Sequence, residues 1–147
     1  MGQELNPEFE KVIGHHFHDQ GLVEEALEES GLASAGNERL ALLGDKILDL
    51  MLLRRWYHEG NTTEQGTCQL QTYACNKQLT SMARALDLQR FIHQRPDLER
   101  SVPDSTLATT VEAILGAVWL DSDEDVQQVN EVMEKIRLYP SSGRVPT

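Results

Sequence analysis

Glu38, Asp45 and Asp49 stand at successive offsets of seven and four residues, which places three carboxylates on roughly one face of a helix. Glu112 lies among apolar residues in the run Thr109-Thr110-Val111-Glu112-Ala113-Ile114-Leu115-Gly116-Ala117-Val118. A carboxylate in such surroundings stays ionised only when it is paired, hydrogen-bonded or bound to a metal. Packing two helices through Gly44, Gly116 and Ala117 would bring Asp45 and Glu112 together. Two adjacent carboxylates repel, and a divalent cation with its waters would relieve that repulsion. The alternative is that these acids cap helices, pair with Arg39, Lys46 or Arg54, or face water.

The elements that must position these acids are helical. Apolar residues recur at helical spacing and no strong strand pattern is present, so the expected fold class is all-α with about seven helices. Asn6-Pro7-Glu8 supplies a cap, a proline at the first helical position and an acid in the first turn, for a helix ending near Gly14. Leu22, Val23, Ala26 and Leu27 form the apolar face of a second helix, expected to end near Gly31, with a polar loop from Gly31 to Gly36. A long helix is expected from about Asn37 to Glu59 with Gly60 as its stop. Leu40, Leu43, Ile47 and Leu50 make its stripe, and Leu42, Leu53 and Trp56 widen it, so burial on most sides is expected. Further helices are expected from Asn61–Thr63 to about Ala74, from Asn76 to Leu88, from about Ser105 to Leu120, and from a cap at Asp123 to Leu138. Two prolines break the stretch from Pro96 to Asp104. Residues 1–139 read as one domain and residues 140–147 as a disordered tail.

The chain has 147 residues, enough for one domain with a sizeable core. Its formal charge of −11 is a poor start for gripping a polyanion, since Lys and Arg supply most non-specific affinity for phosphates. No secretory signal or membrane-length apolar run is visible. Gly2 lacks the Ser or Thr at position 6 that myristoylation wants, because Asn6 is there. Cys68 and Cys75 are seven residues apart, roughly 10 Å along a continuous helix and too far for a disulfide. A reduced, intracellular protein with no membrane association is the expectation.

Several longer runs carry a resemblance. Asn37-Glu38-Arg39-Leu40-Ala41-Leu42-Leu43-Gly44-Asp45-Lys46-Ile47-Leu48-Asp49 resembles the ribonuclease III family run N-E-R-L-E-F-L-G-D-x-x-L-D. Glu112 to Asp121 is similar to the later E-A-L-I-G-A-I-Y-L-D run, and Ile13 to Leu27 to the family's opening segment. Gln78 to Leu88 resembles the intervening L-x-x-I-A-x-x-L-G-L helix. The resemblance covers Phe9 to about Leu138 and implies the ribonuclease III endonuclease-domain fold: an all-α homodimer that cuts double-stranded RNA with magnesium ions. The family's four metal-binding carboxylates fall on Ala41, Asp45, Thr109 and Glu112, so two of the four are lost. Glu38 matches an auxiliary family acid, and Gln65 takes the place of another. The resemblance therefore implies retained acids at Asp45, Glu112 and Glu38, with Asp45 and Glu112 holding magnesium weakly at best. It also implies a dimer seam on this helix, through Leu40, Leu42, Leu43 and Ile47, with Leu42 where the family has an aromatic.

Phosphodiester hydrolysis by bound metal requires an acidified water and charge stabilisation on both the attacking and leaving oxygens. Two missing ligands therefore favour a dimeric, non-catalytic scaffold in an RNA-processing or ribosome-associated assembly, with an RNA or a protein as partner. A slow or specialised magnesium-dependent endonuclease using Asp45 and Glu112 is the alternative. His15, His16 and His18 lie in one turn without a spaced partner, so a structural role is favoured over metal binding. Arg54, Arg55, Trp56 and Tyr57 are either an RNA contact or, more ordinarily, side chains snorkelling from a buried helix. Lys46, beside Asp45, either replaces some missing metal charge or faces solvent.

Overall fold

The computed structural model describes residues 6–29, 35–93 and 101–140. Among the described residues seven α-helices follow one another: α1 (Asn6–Ile13), α2 (Gln20–Ala26), α3 (Glu38–Glu59), α4 (Thr63–Tyr73), α5 (Asn76–Ala85), α6 (Asp104–Asp121) and α7 (Val126–Lys135), with a 3-10 turn at Leu88–Phe91 between α5 and α6. Among the described residues the one extended pairing is a parallel bridge between Glu28 and His93. No described helix is long and apolar enough to cross a membrane. Most of the expected Gly31–Gly36 loop, most of the Pro96–Asp104 segment and the tail beyond Pro140 lie outside the described residues.

The helices start and stop where local chemistry says they should. Thr62 and Gln65 form a reciprocal capping box at the start of α4. Gly60 ends α3 in the left-handed region at φ 75°, where a Cβ is disfavoured. Several boundaries differ from expectation, among them the helix expected from Asn76 to Leu88, which ends at Ala85 before the 3-10 turn at Leu88–Phe91. The second helix stops at Ala26 rather than near Gly31, because Glu29 leaves the helix to take a backbone hydrogen bond from its N–H to the His93 carbonyl. The last helix is capped by Asp125 and not Asp123: Asp125 accepts from the N–H groups of Gln127 and Gln128. Asp123 and Glu124 have φ of 61° and 63°, incompatible with the extended backbone an N-cap residue adopts. That helix ends at Lys135, and Leu138 is buried beyond it.

α6 is the central element, with ten of its residues buried, and its most extensive packing is against α3. The buried face of α3 is Leu40, Ala41, Gly44, Ile47, Leu48, Met51 and Leu52. Leu50 belongs on the other side: it is 50% exposed, and Leu42 is 72% exposed. The expectation of burial on most sides is therefore corrected; one flank of α3, carrying Leu42 and Leu50 with Lys46 between them, is uncovered. Asn37 is fully buried, and its Nδ2 donates to the Ala26 carbonyl (2.9 Å) and to Thr110 Oγ1 (3.0 Å). One amide thereby ties the end of α2 and the start of α3 to the middle of α6. No signal in the sequence distinguishes this strut from an ordinary cap residue.

Candidate functional site

Asp45 and Glu112 meet because two glycines let α3 and α6 touch backbone to backbone. A Cβ built on Gly44 would lie 1.7 Å from the Glu112 carbonyl oxygen, and one on Gly116 would lie 2.3 Å from the Leu40 carbonyl oxygen. With no side chain between the helices, the residues flanking the crossing are forced into contact. The Glu112 carboxyl is hydrogen-bonded to Asp45.

Electrostatics decides how that pair exists. Burial is the main reason the Glu112 carboxyl is pushed up from 4.5 to about 8; the hydrogen bond to Asp45 and the charges of Asp45 and Asp49 push the same way, and Lys46 opposes them. At neutral pH Glu112 is therefore protonated and donates to Asp45. Asp49 is also raised, first by burial and then by Asp45, with Lys46 again opposing. Lys46 Nζ lies 3.4 Å from Asp45 Oδ2 with its side chain 74% exposed. The ammonium is thus both solvated and within the field of the acids.

A pH prediction follows from the Glu112 shift. Below pH 4.5 Glu112 is protonated in the folded and unfolded chain alike. Between pH 4.5 and about 8 the unfolded chain loses this proton and the folded chain keeps it, so stability falls as pH rises. Glu112→Gln is expected to flatten that decline, read by urea denaturation across this range in chelator-treated buffer. An unchanged slope would remove Glu112 as its source.

The remaining expected site residues are distributed unevenly. Glu38 is exposed in the first turn of α3, about 10 Å along the helix from Asp45, and Asp49 is the nearer third acid. Ala41 is buried in the core and Thr109 is half-buried; neither offers a charged oxygen. Gln65 uses its side chain to accept the Thr62 N–H at 2.9 Å. Among the described residues no group of three or more His, Cys, Asp or Glu side chains is arranged to hold a metal ion. The carboxylates that converge are Asp45 and Glu112, with Asp49 electrostatically coupled to them, whereas a tightly held magnesium ion asks for several anionic oxygens in near-octahedral geometry.

The histidines have structural partners. His15 is buried, with Nε2 2.8 Å from Asp121 Oδ2 and Nδ1 2.9 Å from the Gln128 amide. Asp121 also accepts from the backbone N–H groups of His18 and Asp19. Burial alone would raise this carboxyl, but those three donors together hold it below its usual range. His16 pairs with Glu10. Of the basic cluster, Arg55 binds Glu134 at 2.7 Å, and Trp56 donates to the Thr62 carbonyl at 2.7 Å. Leu40 and Ile47 of the expected seam are core residues, 3% and 5% exposed, and Leu43 is partly buried against the same core. Only Leu42 of that set is available on the surface, and Leu50 and Tyr57, both exposed, share its side of α3.

Comparison with known proteins agrees with the resemblance. The family model of the Ribonuclease III domain matches residues 38–123. Ribonuclease 3 of Idiomarina loihiensis is 34% identical over 128 residues, covering 83% of this chain and 56% of that protein. Ribonuclease 3 of Vibrio atlanticus is 35% identical over 122 residues, covering 80% and 54%. The chain spans about half the length of these relatives. The nuclease domain of ribonuclease III from Campylobacter jejuni superimposes with a TM-score of 0.79 at 26% identity, over 88% of this chain and 94% of that one; its structure is described as flexible in a region involved in dimer formation. The backbone crossing at Gly44 and Gly116, the seven-helix order and these matches converge: the chain belongs to the ribonuclease III domain family.

Proposed function

We propose that this chain is a ribonuclease III domain that has kept the fold and lost ordinary metal-dependent cleavage, serving as a dimeric scaffold in an RNA-processing or ribosome-associated assembly. The supporting observation is the composition of the two facing walls. Ala41 on α3 and Thr109 on α6 leave Asp45 and Glu112 as the retained ligand candidates, with the Glu112 carboxyl pushed up to about 8 by burial and by its neighbours Asp45 and Asp49. The test is incubation of purified protein with long double-stranded RNA and magnesium or manganese, beside an Asp45→Asn control. No cleavage above the control is expected. Cleavage that disappears in Asp45→Asn would instead establish the slow endonuclease reading, with Asp45 and Glu112 as its acids.

The dimer is proposed through the uncovered flank of α3. Leu42, Leu50 and Tyr57 are large, apolar and 72%, 50% and 74% exposed, and burying a leucine is worth about 1.5–3 kcal/mol. In a two-fold seam each side chain counts twice. Leu42→Glu is expected to weaken self-association at least tenfold, read by sedimentation at micromolar concentration. A wild-type protein that sediments as a monomer would sink the proposal.

A further inference from the structure

The far end of α3 carries a feature that neither the carboxylate pair nor the seam uses. Arg54 and Arg55 lie about 14 Å along the helix from Asp45, where the chain leaving α7 folds back over them. Tyr139 is buried there; the Arg55 guanidinium sits 3.5 Å above its ring and its hydroxyl donates to Asn130 Oδ1 at 2.6 Å. Burial pushes this phenol up to about 12, against the nearby positive charges of Arg55 and Arg54. A groove of about 530 Å³ opens beside it, lined by Arg55, Tyr73, Gln78, Glu134, Arg137 and Tyr139. Arg137 and Gln78 also line an adjoining groove of about 490 Å³, which continues past Ser81 to Lys135.

Arg137 is the telling residue. It follows the α7 C-cap at φ 62°, and the Leu138 N–H reaches back to the Met133 carbonyl at 2.9 Å. This is the helix-ending position that favours glycine, because a left-handed residue with a Cβ is strained. An arginine holds it instead, exposed and, like Arg54, without a carboxylate partner among the described residues. Local stability does not account for that choice. Glu134 is the one acid lining either groove, and Arg55 already engages it. On a chain of net charge −11, a polyanion is repelled by most of the surface and admitted where cations stand unopposed.

We propose that the groove between α5 and the end of α7, with Lys135 and Arg137 at its rim, binds the phosphate backbone of RNA at a place separate from the carboxylate pair. Guanidinium forks match phosphate oxygens in pairs, and Tyr73 and Gln78 offer hydroxyl and amide donors to sugar and phosphate. The contact is to the backbone and carries no sequence preference. It rests on the reading of this chain as an RNA-handling scaffold and adds where the RNA lies.

The test uses the full chain and a short fluorescein-labelled RNA duplex, with affinity measured by anisotropy at several salt concentrations. Arg137→Gly is expected to lower the log–log salt slope by about one, and Lys135→Gln with Arg137→Gly by about two. Between 50 and 200 mM salt the double variant's affinity should fall roughly tenfold less than that of wild type. Arg137→Gly should at the same time leave the unfolding midpoint unchanged or raised, since glycine suits the backbone; a merely structural arginine would lower it. Wild-type affinity and slope in both variants, or no binding by wild type, would overturn the proposal. So would a labelled polyglutamate peptide that binds in an Arg137-dependent way and is not displaced by RNA, which would mark a surface for an acidic protein. RNA recovered from each reaction is run on a gel, so that cleavage, which defeats the scaffold reading, is distinguished from failure of the groove.

Discussion

Gly44→Ala is expected to destabilise the chain by about 3 kcal/mol and to separate Asp45 from Glu112. The new methyl would be placed 1.7 Å from the Glu112 carbonyl oxygen and 2.6 Å from its carbonyl carbon. Both are backbone atoms of a fully packed helix, so no rotamer change can relieve the overlap. α3 and α6 must move apart along their most extensive contact, opening gaps between residues that are now buried at near-crystalline density. Overpacking a core by a methyl group typically costs about 1–3 kcal/mol, and a clash with rigid backbone belongs at the top of that range. Gly60→Ala is the matched comparison. A Cβ there meets nothing within 4 Å, and only its φ of 75° opposes the change, which amounts to about 1 kcal/mol. Urea denaturation of the two variants separates the effects. Equal losses would mean that the helix crossing is not as tight as its geometry implies.

The second large effect is a gain. Ala41→Glu with Thr109→Asp is expected to raise magnesium-dependent cleavage of double-stranded RNA on the order of a thousandfold above wild type, or about 4 kcal/mol of transition-state stabilisation. The two substitutions supply anionic oxygens on both walls, and a bound cation would offset the burial and like charge that hold the proton on Glu112. Ala41 is 6% exposed within the core, so a carboxylate there is costly until a cation reaches it. The doubly substituted chain should therefore unfold at lower temperature than wild type in chelator and recover when manganese is added, because a ligand that binds only the folded state stabilises it. Adding Asp45→Asn should abolish both the recovery and the cleavage. A rebuilt chain that neither cuts RNA nor gains stability from metal would show that more than these two side chains separates it from an active nuclease.

The carboxylate pair was legible before the fold because its cause is local. Gly44 and Gly116 are the residues that permit two helices to touch, and each sits one to four positions from an acid, so the crossing and the contact are one inference. The same holds for Gly60 as the stop of α3 and for the proline-led start of α1, where a single residue's backbone preference decides. The short second helix was not legible, because it ends in favour of a bridge to His93, far along the chain. Asp123 reads as a cap by type alone; that two successive residues there turn left-handed depends on how α7 must reverse onto α1 and α6.

Side-chain fate shows the same division. Periodicity marks α3 as apolar on several faces but cannot say which of them a neighbour covers, so it sets Leu50 in one stripe with Leu40 and Ile47, while the family resemblance sets Leu40 and Ile47 in the seam. α6 occupies the Leu40–Ile47 face and leaves Leu42, Leu50 and Tyr57 uncovered. Asp49 rather than Glu38 joins the pair for a similar reason: both lie near one helix face, but the electrostatic coupling falls with distance along it. By itself the sequence determined the order of the helices, those ends that rest on one residue's preference such as Gly60, the glycine crossing and the family. Tertiary structure decided which acids feel one another, which leucines reach the surface, and that Lys135 and Arg137 share a groove. Helix formation depends on residues a few positions apart, whereas desolvation and charge depend on which distant segments pack together.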